Sequence, residues 1–145
     1  DALNLLAGDA LRREDWCLTP HPGEAGRLLA GSAAAVNADR YAAALALAAR
    51  YGGSVLLKGA GTLVTEGGAC DVVAAGNPGM ASGGMGDVLT GVIASLAAQR
   101  LALPQAARLG AVLHAVAADH AALAGGERGL LATDLFAPLR RLVNG

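Results

Sequence analysis

The stretch GNPGMASGGMGDVLTGVIASL, Gly76 to Leu96, constrains this chain more than any other. Five glycines fall within the eleven residues 76–86, and an apolar helical pattern begins directly behind them. Val88, Leu89, Val92, Ile93 and Leu96 share one face at 3.6-residue spacing, which predicts a helix from about Met85 to Ala102. A helix start carries backbone N–H groups with no partner inside the helix. Gly83, Gly84 and Gly86 place no Cβ atoms around those groups, so an anion can approach closely. Together with the positive end of the helix dipole they make an anion hole, most naturally for phosphate. The spacing is neither a Walker loop, since no GK[ST] follows, nor a dinucleotide fingerprint.

Asp87 stands at the junction, where a carboxylate repels a bound anion unless its work lies beside that anion. A helix start stabilises it as the anion. There it can take a proton from a substrate hydroxyl while the amides hold a phosphoryl group. The plainer reading is that Asp87 complements the helix dipole and the glycines only turn the chain.

The remaining segments supply an α/β frame. DALNLLAGDALRRED reads as a short helical piece, and WCLTP as a short buried strand ending at Pro20. HPGEAGRLLAG opens a helix just after Pro22 and Gly23 and closes near Gly31. NADRYAAALALAARYGG is the next helix, capped by Asn37 or Asp39 and stopped at Gly52-Gly53. SVLLKG is an apolar strand, and GTLVTEGG with ACDVVAAG forms a hairpin joined at Gly67-Gly68. Pro104 opens a long helix carrying Leu109, Val112, Leu113 and Val116, and Thr133 or Asp134 caps a last helix ending near Asn144. Strands alternating with helices predict an α/β layer fold, with a mixed sheet because two central strands are too close for a crossover helix. No linker or repeat breaks residues 1–145, so one domain is expected.

A net charge of -1 argues against a nucleic-acid partner, and aromatics at 3% leave no platform for stacked bases. Cys17 and Cys70 are isolated and suit a reducing cytosol. No signal peptide is visible, and the apolar runs break well short of a membrane span. A soluble cytoplasmic protein with no membrane partner is expected.

Two further loops attract chemistry. Lys58 stands at the exit of an apolar strand in LLKGAGT, where Lys58 and Thr62 can meet a nucleotide phosphate or ribose; the alternative is a snorkelling lysine at a hairpin entry. His21 is held between Pro20 and Pro22, which presents its ring at little entropy cost for a substrate hydrogen bond; the alternative is a rigid loop whose histidine is only solvated. Nearby Glu24 can cap the helix or help hold a cation. His114 and His120 are expected in core or surface roles on their helix, and Arg40, Arg50 and Arg108 as solvated helix faces.

In order, TPHPGEAGRLL, LLKGAGTLV, GNPGMASGGMGDVLTGVIASLAAQ and GLLATDL resemble the carbohydrate-kinase-like domain of NAD(P)H-hydrate dehydratases, from Asp1 to Gly145. The resemblance implies a ribokinase-like layered αβα sandwich with a mostly parallel central sheet. It implies repair of hydrated NADH and NADPH at the expense of ADP (bacterial type) or ATP, through phosphorylation of the C6 hydroxyl and elimination. Lys58, Gly59, Ala60, Gly61 and Thr62 match the segment that binds the adenine nucleotide, and Gly86 a second nucleotide contact. Asp87 and His21 match positions that contact the hydrated cofactor. Mg²⁺ is implied with the phosphates, although no ligand set is readable, and so are homo-oligomers and, in bacterial members, an upstream epimerase domain. The chain resembles the C-terminal half of that domain, with the family's N-terminal half missing, and such a piece alone is expected to be inactive or poorly folded. The competing readings are a ribokinase-like kinase of the hydroxyethylthiazole or pyridoxal type, and a non-catalytic nucleotide-binding fragment.

Overall fold

A computed structural model describes residues 2–9, 11–66 and 68–145. The chain divides into two compact units, residues 1–72 and 73–145. The first holds α1 (Ala2–Ala7), β1 (Cys17–Leu18), α2 (Pro22–Leu28), α3 (Ala33–Ala38), α4 (Arg40–Tyr51), β2 (Ser54–Leu57) and β3 (Thr62–Glu66), and β4 (Ala69–Val73) ends at the boundary. The sheet order is β1-β2-β3-β4. β1 and β2 are parallel, with Cys17 opposite Ser54, and three helices cross between them. β2 and β3 are antiparallel, with Leu56 opposite Val64. The link 58–61 is too short for any other arrangement, so the sheet is mixed as expected. Gly67 of the expected hairpin turn lies outside the described residues, as do Asp1 and Ala10 of the first segment.

Every residue of β2 is buried, which is why its sequence reads as an unbroken apolar run. Leu28, Leu47, Tyr51, Val55, Leu57 and Leu63 pack into one core with it. Two buried polar groups close their bonds inside. Tyr51 donates its hydroxyl to the Leu28 carbonyl at 2.9 Å, and the Val55 N–H donates to Thr65 Oγ1 at 3.0 Å.

The helix expected to begin near Asn37 or Asp39 is preceded by one the sequence did not suggest. Ser32 accepts from the Ala35 N–H at 3.2 Å and starts α3, which contains Asn37. Asp39 is extended, with φ -146°, and accepts from the Ala42 N–H at 2.9 Å to start α4. Two local caps divide the segment into two helices. Gly26 allows the join: a Cβ there would lie 2.7 Å from the Ser32 carbonyl carbon.

The second unit holds α5 (Met85–Ala98), α6 (Leu103–Gly125) and α7 (Phe136–Leu142), with single 3-10 turns at Pro78–Met80 and Ala132–Leu135. α5 ends four residues earlier than expected, because Arg100 takes φ +73° and reverses the chain. α6 turns its smallest side chains inward. Leu109 and Val112 are 42% and 45% exposed, whereas Ala106, Ala107, Gly110, Ala111, Ala115, Ala117 and Ala118 are buried together with His114. Small side chains let α5 approach: a Cβ on Gly110 would meet Ile93 Cγ1 at 2.7 Å. Neither Thr133 nor Asp134 caps α7. Both lie within the 3-10 turn, and Asp134 reaches back to accept from the Leu131 N–H at 2.8 Å. Among the described residues no helix is long and apolar enough to cross a membrane.

Candidate functional site

In the first unit, β2 delivers Lys58 at its C-terminal end, and the Lys58 N–H donates to the Pro20 carbonyl at 2.8 Å. The loops that follow the parallel neighbours β1 and β2 are thereby fastened together, at the strand ends where α/β sheets gather ligands. His21 is the N-cap of α2. Its Nδ1 accepts from the Gly23 N–H at 3.0 Å and the Glu24 N–H at 3.4 Å, while Glu24 Oε2 accepts from the His21 N–H at 2.7 Å. This is a capping box built on imidazole. Because Nδ1 accepts, the neutral ring carries its proton on Nε2. Only that edge is offered outward, and the ring is folded onto its helix rather than presented whole.

Glu24 does more than cap. Its Oε2 lies 3.6 Å from His21 Nε2 and 3.7 Å from Lys58 Nζ. The side chains of Glu24 and Lys58 are 19% and 27% exposed, so the pair is screened less than a surface one. One carboxylate thus stands between the candidate substrate residue and the candidate nucleotide residue.

Arg40 overturns its reading as a solvated face. It is the first residue of α4, aimed by the extended Asp39 cap toward the end of β2. Nη1 donates to the Ala60 carbonyl at 2.7 Å, and Nη2 to those of Leu57, Gly61 and Lys58 at 3.2, 3.2 and 3.4 Å. Thr62 Oγ1 donates to the Gly59 carbonyl at 3.1 Å. Gly59 has φ +142°, and a Cβ there would lie 2.7 Å from Arg40 Nη1. Glycine is needed at this position for both reasons. Of the other two arginines, Arg50 lies with its guanidinium 5.3 Å from the centre of the Tyr51 ring.

In the second unit, α5 begins at Gly84, which is left-handed with φ +84° and supplies no side-chain cap. A Cβ added at Gly83 would meet nothing within 4 Å. Gly83, Gly84 and Asp87 are exposed and Gly86 half-buried. Asp87 is third in the helix, in its first turn, and its own N–H is already taken by the Gly84 carbonyl at 3.1 Å. The arrangement can take an anion at the amides of the glycines, with a carboxylate in the same first turn.

Helix α6 frames this segment through two residues whose part the sequence did not reveal. Asp119 accepts from the Gly76 N–H and from Asn77 Nδ2, both at 2.9 Å, and Asn77 Oδ1 accepts in turn from the Gly79 N–H at 3.1 Å. His114, 6% exposed, hydrogen-bonds the Met85 backbone; burial holds its pKa below the ordinary value, and its Nε2 has no partner among the described residues. Five residues apart on α6, the two side chains hold the two ends of the glycine run. No cue in the sequence ties Arg40 or Asp119 to glycines 21 and 43 residues away, because the pairing is made only by folding. A groove of about 520 Å³ in this unit is lined by residues including His120, Arg128, Thr133, Asp134 and Arg141, and by none of the candidate residues.

A family model described as NAD(P)H-hydrate dehydratase matches residues 1–141. The chain is 59% identical over 145 residues to a bifunctional NAD(P)H-hydrate repair enzyme of Coxiella burnetii, covering 99% of this chain and 30% of that protein. It is 44% identical over 155 residues to an ADP-dependent (S)-NAD(P)H-hydrate dehydratase of Neisseria meningitidis, covering 99% and 51%. It superposes with TM-score 0.83 on the ADP/ATP-dependent NAD(P)H-hydrate dehydratase of Bacillus subtilis co-crystallized with ATP/Mg²⁺, at 28% identity, covering 94% of this chain and 52% of that one. A ribokinase-like superfamily protein of Enterococcus faecalis matches with TM-score 0.83 at 27% identity, covering 99% and 50%. The chain therefore spans about a third to a half of the relatives it matches.

Proposed function

The chain belongs to the NAD(P)H-hydrate dehydratase family, and on that premise we propose that the protein containing it restores NADH and NADPH from their S-form hydrates at the expense of ADP, or of ATP. In this reading Lys58, Gly59, Ala60, Gly61 and Thr62 bind the adenine nucleotide with Gly86, and His21 and Asp87 contact the hydrate. The nucleotide's terminal phosphoryl group passes to the C6 hydroxyl. An O–P bond forms as the anhydride bond breaks, AMP leaving from ADP or ADP from ATP, and the hydroxyl proton goes to Asp87. The C6–O bond then breaks with phosphate as leaving group and loss of a C5 proton, which restores the ring double bond. Gly83, Gly84 and Gly86 hold the transferring group by their amides. The two units are read as parts of one ribokinase-like domain, and the bifunctional relatives support an epimerase domain elsewhere in the same protein.

Mg²⁺ keeps several waters and is commonly held by substrate phosphates plus one or two carboxylates. Among the described residues no group of three His, Cys, Asp or Glu side chains is placed to hold a metal, so no ligand is assigned to it and no step runs through it.

The uncapped glycine start of α5 with Asp87 in its first turn carries this reading. The test is recovery of 340 nm absorbance when the full-length protein meets NADPH hydrate, ADP and Mg²⁺. Absence of recovery with either nucleotide refutes it. Asp87→Asn is expected to lower turnover by about 10²–10⁴; survival within about tenfold removes the general-base role.

A further inference from the structure

Each trans peptide points its carbonyl and its N–H in opposite directions. Arg40 draws the carbonyls of Leu57, Lys58, Ala60 and Gly61 to one guanidinium, and Thr62 takes that of Gly59. The N–H groups of Gly59 and Gly61 belong to the same peptides as the Lys58 and Ala60 carbonyls, so they face away from the guanidinium. Four neutral carbonyls do not neutralise the charge, and Arg40 forms no ion pair with a carboxylate among the described residues. Its Nε is buried with no partner.

We propose that Arg40 is a positioning residue for the phosphate-binding face of loop 58–61. Its planar fork turns the loop so that amides rather than carbonyls meet an anion, and its unpaired charge lies beneath them. The ligand is the phosphate chain of a nucleoside diphosphate or triphosphate, with Lys58, whose Nζ lies 3.7 Å from Glu24 Oε2, as the second cation of the same loop. This rests on reading 58–62 as the nucleotide segment. Lysine is no substitute for the arginine, because an ammonium keeps the charge but lacks the fork that spans four carbonyls.

The test uses the full-length enzyme with Arg40→Gln, Arg40→Lys, Lys58→Ala and Tyr51→Phe, the last removing a core hydrogen bond of the same unit away from the loop. Arg40→Gln is expected to raise the KM for ADP about tenfold or more, the loss expected for one charge-assisted contact, with the KM for the hydrate within about twofold. Arg40→Lys is expected between wild type and Arg40→Gln, and carries the test alone if Arg40→Gln does not fold. Tyr51→Phe is expected to lower stability and leave the ADP KM unchanged. An ADP KM within about twofold of wild type in both Arg40 variants overturns the inference, and so does an equal rise in Tyr51→Phe. Wild-type behaviour of Arg40→Lys overturns the positioning role and leaves charge alone. If Lys58→Ala binds ADP normally, the nucleotide reading of the loop falls, and this inference falls with it.

Discussion

The anchor of the glycine run allows a swap test. Asp119 presents two acceptor oxygens, one to the Gly76 N–H and one to Asn77 Nδ2, and Asn77 passes its own acceptor to the Gly79 N–H. The direction of donation along this chain is fixed at both ends by backbone donors. Asp119→Asn replaces one acceptor with an NH₂ group, which must face either the Gly76 N–H or Asn77 Nδ2. Rotating Asn77 only moves the conflict to the Gly79 N–H. A shielded hydrogen bond to a charged group is worth about 1.5–3 kcal/mol, and less where water can replace it. One of the two Asp119 bonds is exposed and the other partly buried, so a loss of about 1–3 kcal/mol is expected. Asn77→Asp alone sets two carboxylates face to face and is expected to cost a similar amount. The double variant reverses the polarity of the chain. The amide now at position 119 accepts from the Gly76 N–H and donates to the carboxylate now at position 77. That carboxylate accepts from the Gly79 N–H as well, and every donor is met again. Urea unfolding of the four full-length proteins measures the coupling, expected at about 1–3 kcal/mol in favour of the double variant. Turnover of NADPH hydrate is expected to follow the same order, because the segment so held leads into Gly83 and Asp87. A double variant no more stable than the sum of its singles refutes the anchoring role.

Two titrations are expected to contribute to the pH dependence of stability. Burial pushes the Cys17 thiol up to about 11 from an ordinary 9.0, so its contribution is complete below pH 9 and is lost as pH rises toward 11; Cys17→Ala is expected to flatten that alkaline limb in unfolding scans. Burial lowers the His114 pKa from 6.5, so the unfolded chain takes up its proton first and stability falls as pH drops below about 6.5. His114→Gln is expected to remove that acid limb, and an unchanged limb refutes the assignment. Thr65→Val leaves the buried Val55 N–H without its acceptor and is expected to cost about 1–3 kcal/mol by urea unfolding, with the β2–β3 register retained in its NMR contacts.

Local chemistry was legible where cause and effect lie within a turn or two of chain. The glycine run before an apolar face announced an open helix start, and Asp87 is found in its first turn. The burial of β2 and the antiparallel return of β3 also followed from a short apolar run and a four-residue link. Glu24 was legible as a helix cap, whereas His21, read only as a ring presented to substrate, turns out to be the N-cap that Glu24 answers. Which face of α6 is buried was not local. Leu109 and Val112 have the greater transfer energy, yet the alanine face lies inside, because α5 can pack closely only against small side chains. Arg40, Asp119 and His114 reach backbone groups far along the chain, and nothing in their neighbours' identities distinguishes them from surface residues. The amino-acid sequence by itself thus determined most of the helices and strands, the uncapped glycine start of α5 and the family. Tertiary structure alone decided which polar side chains hold the two candidate loops in shape, because a hydrogen bond between distant segments exists only once packing has brought donor and acceptor within reach.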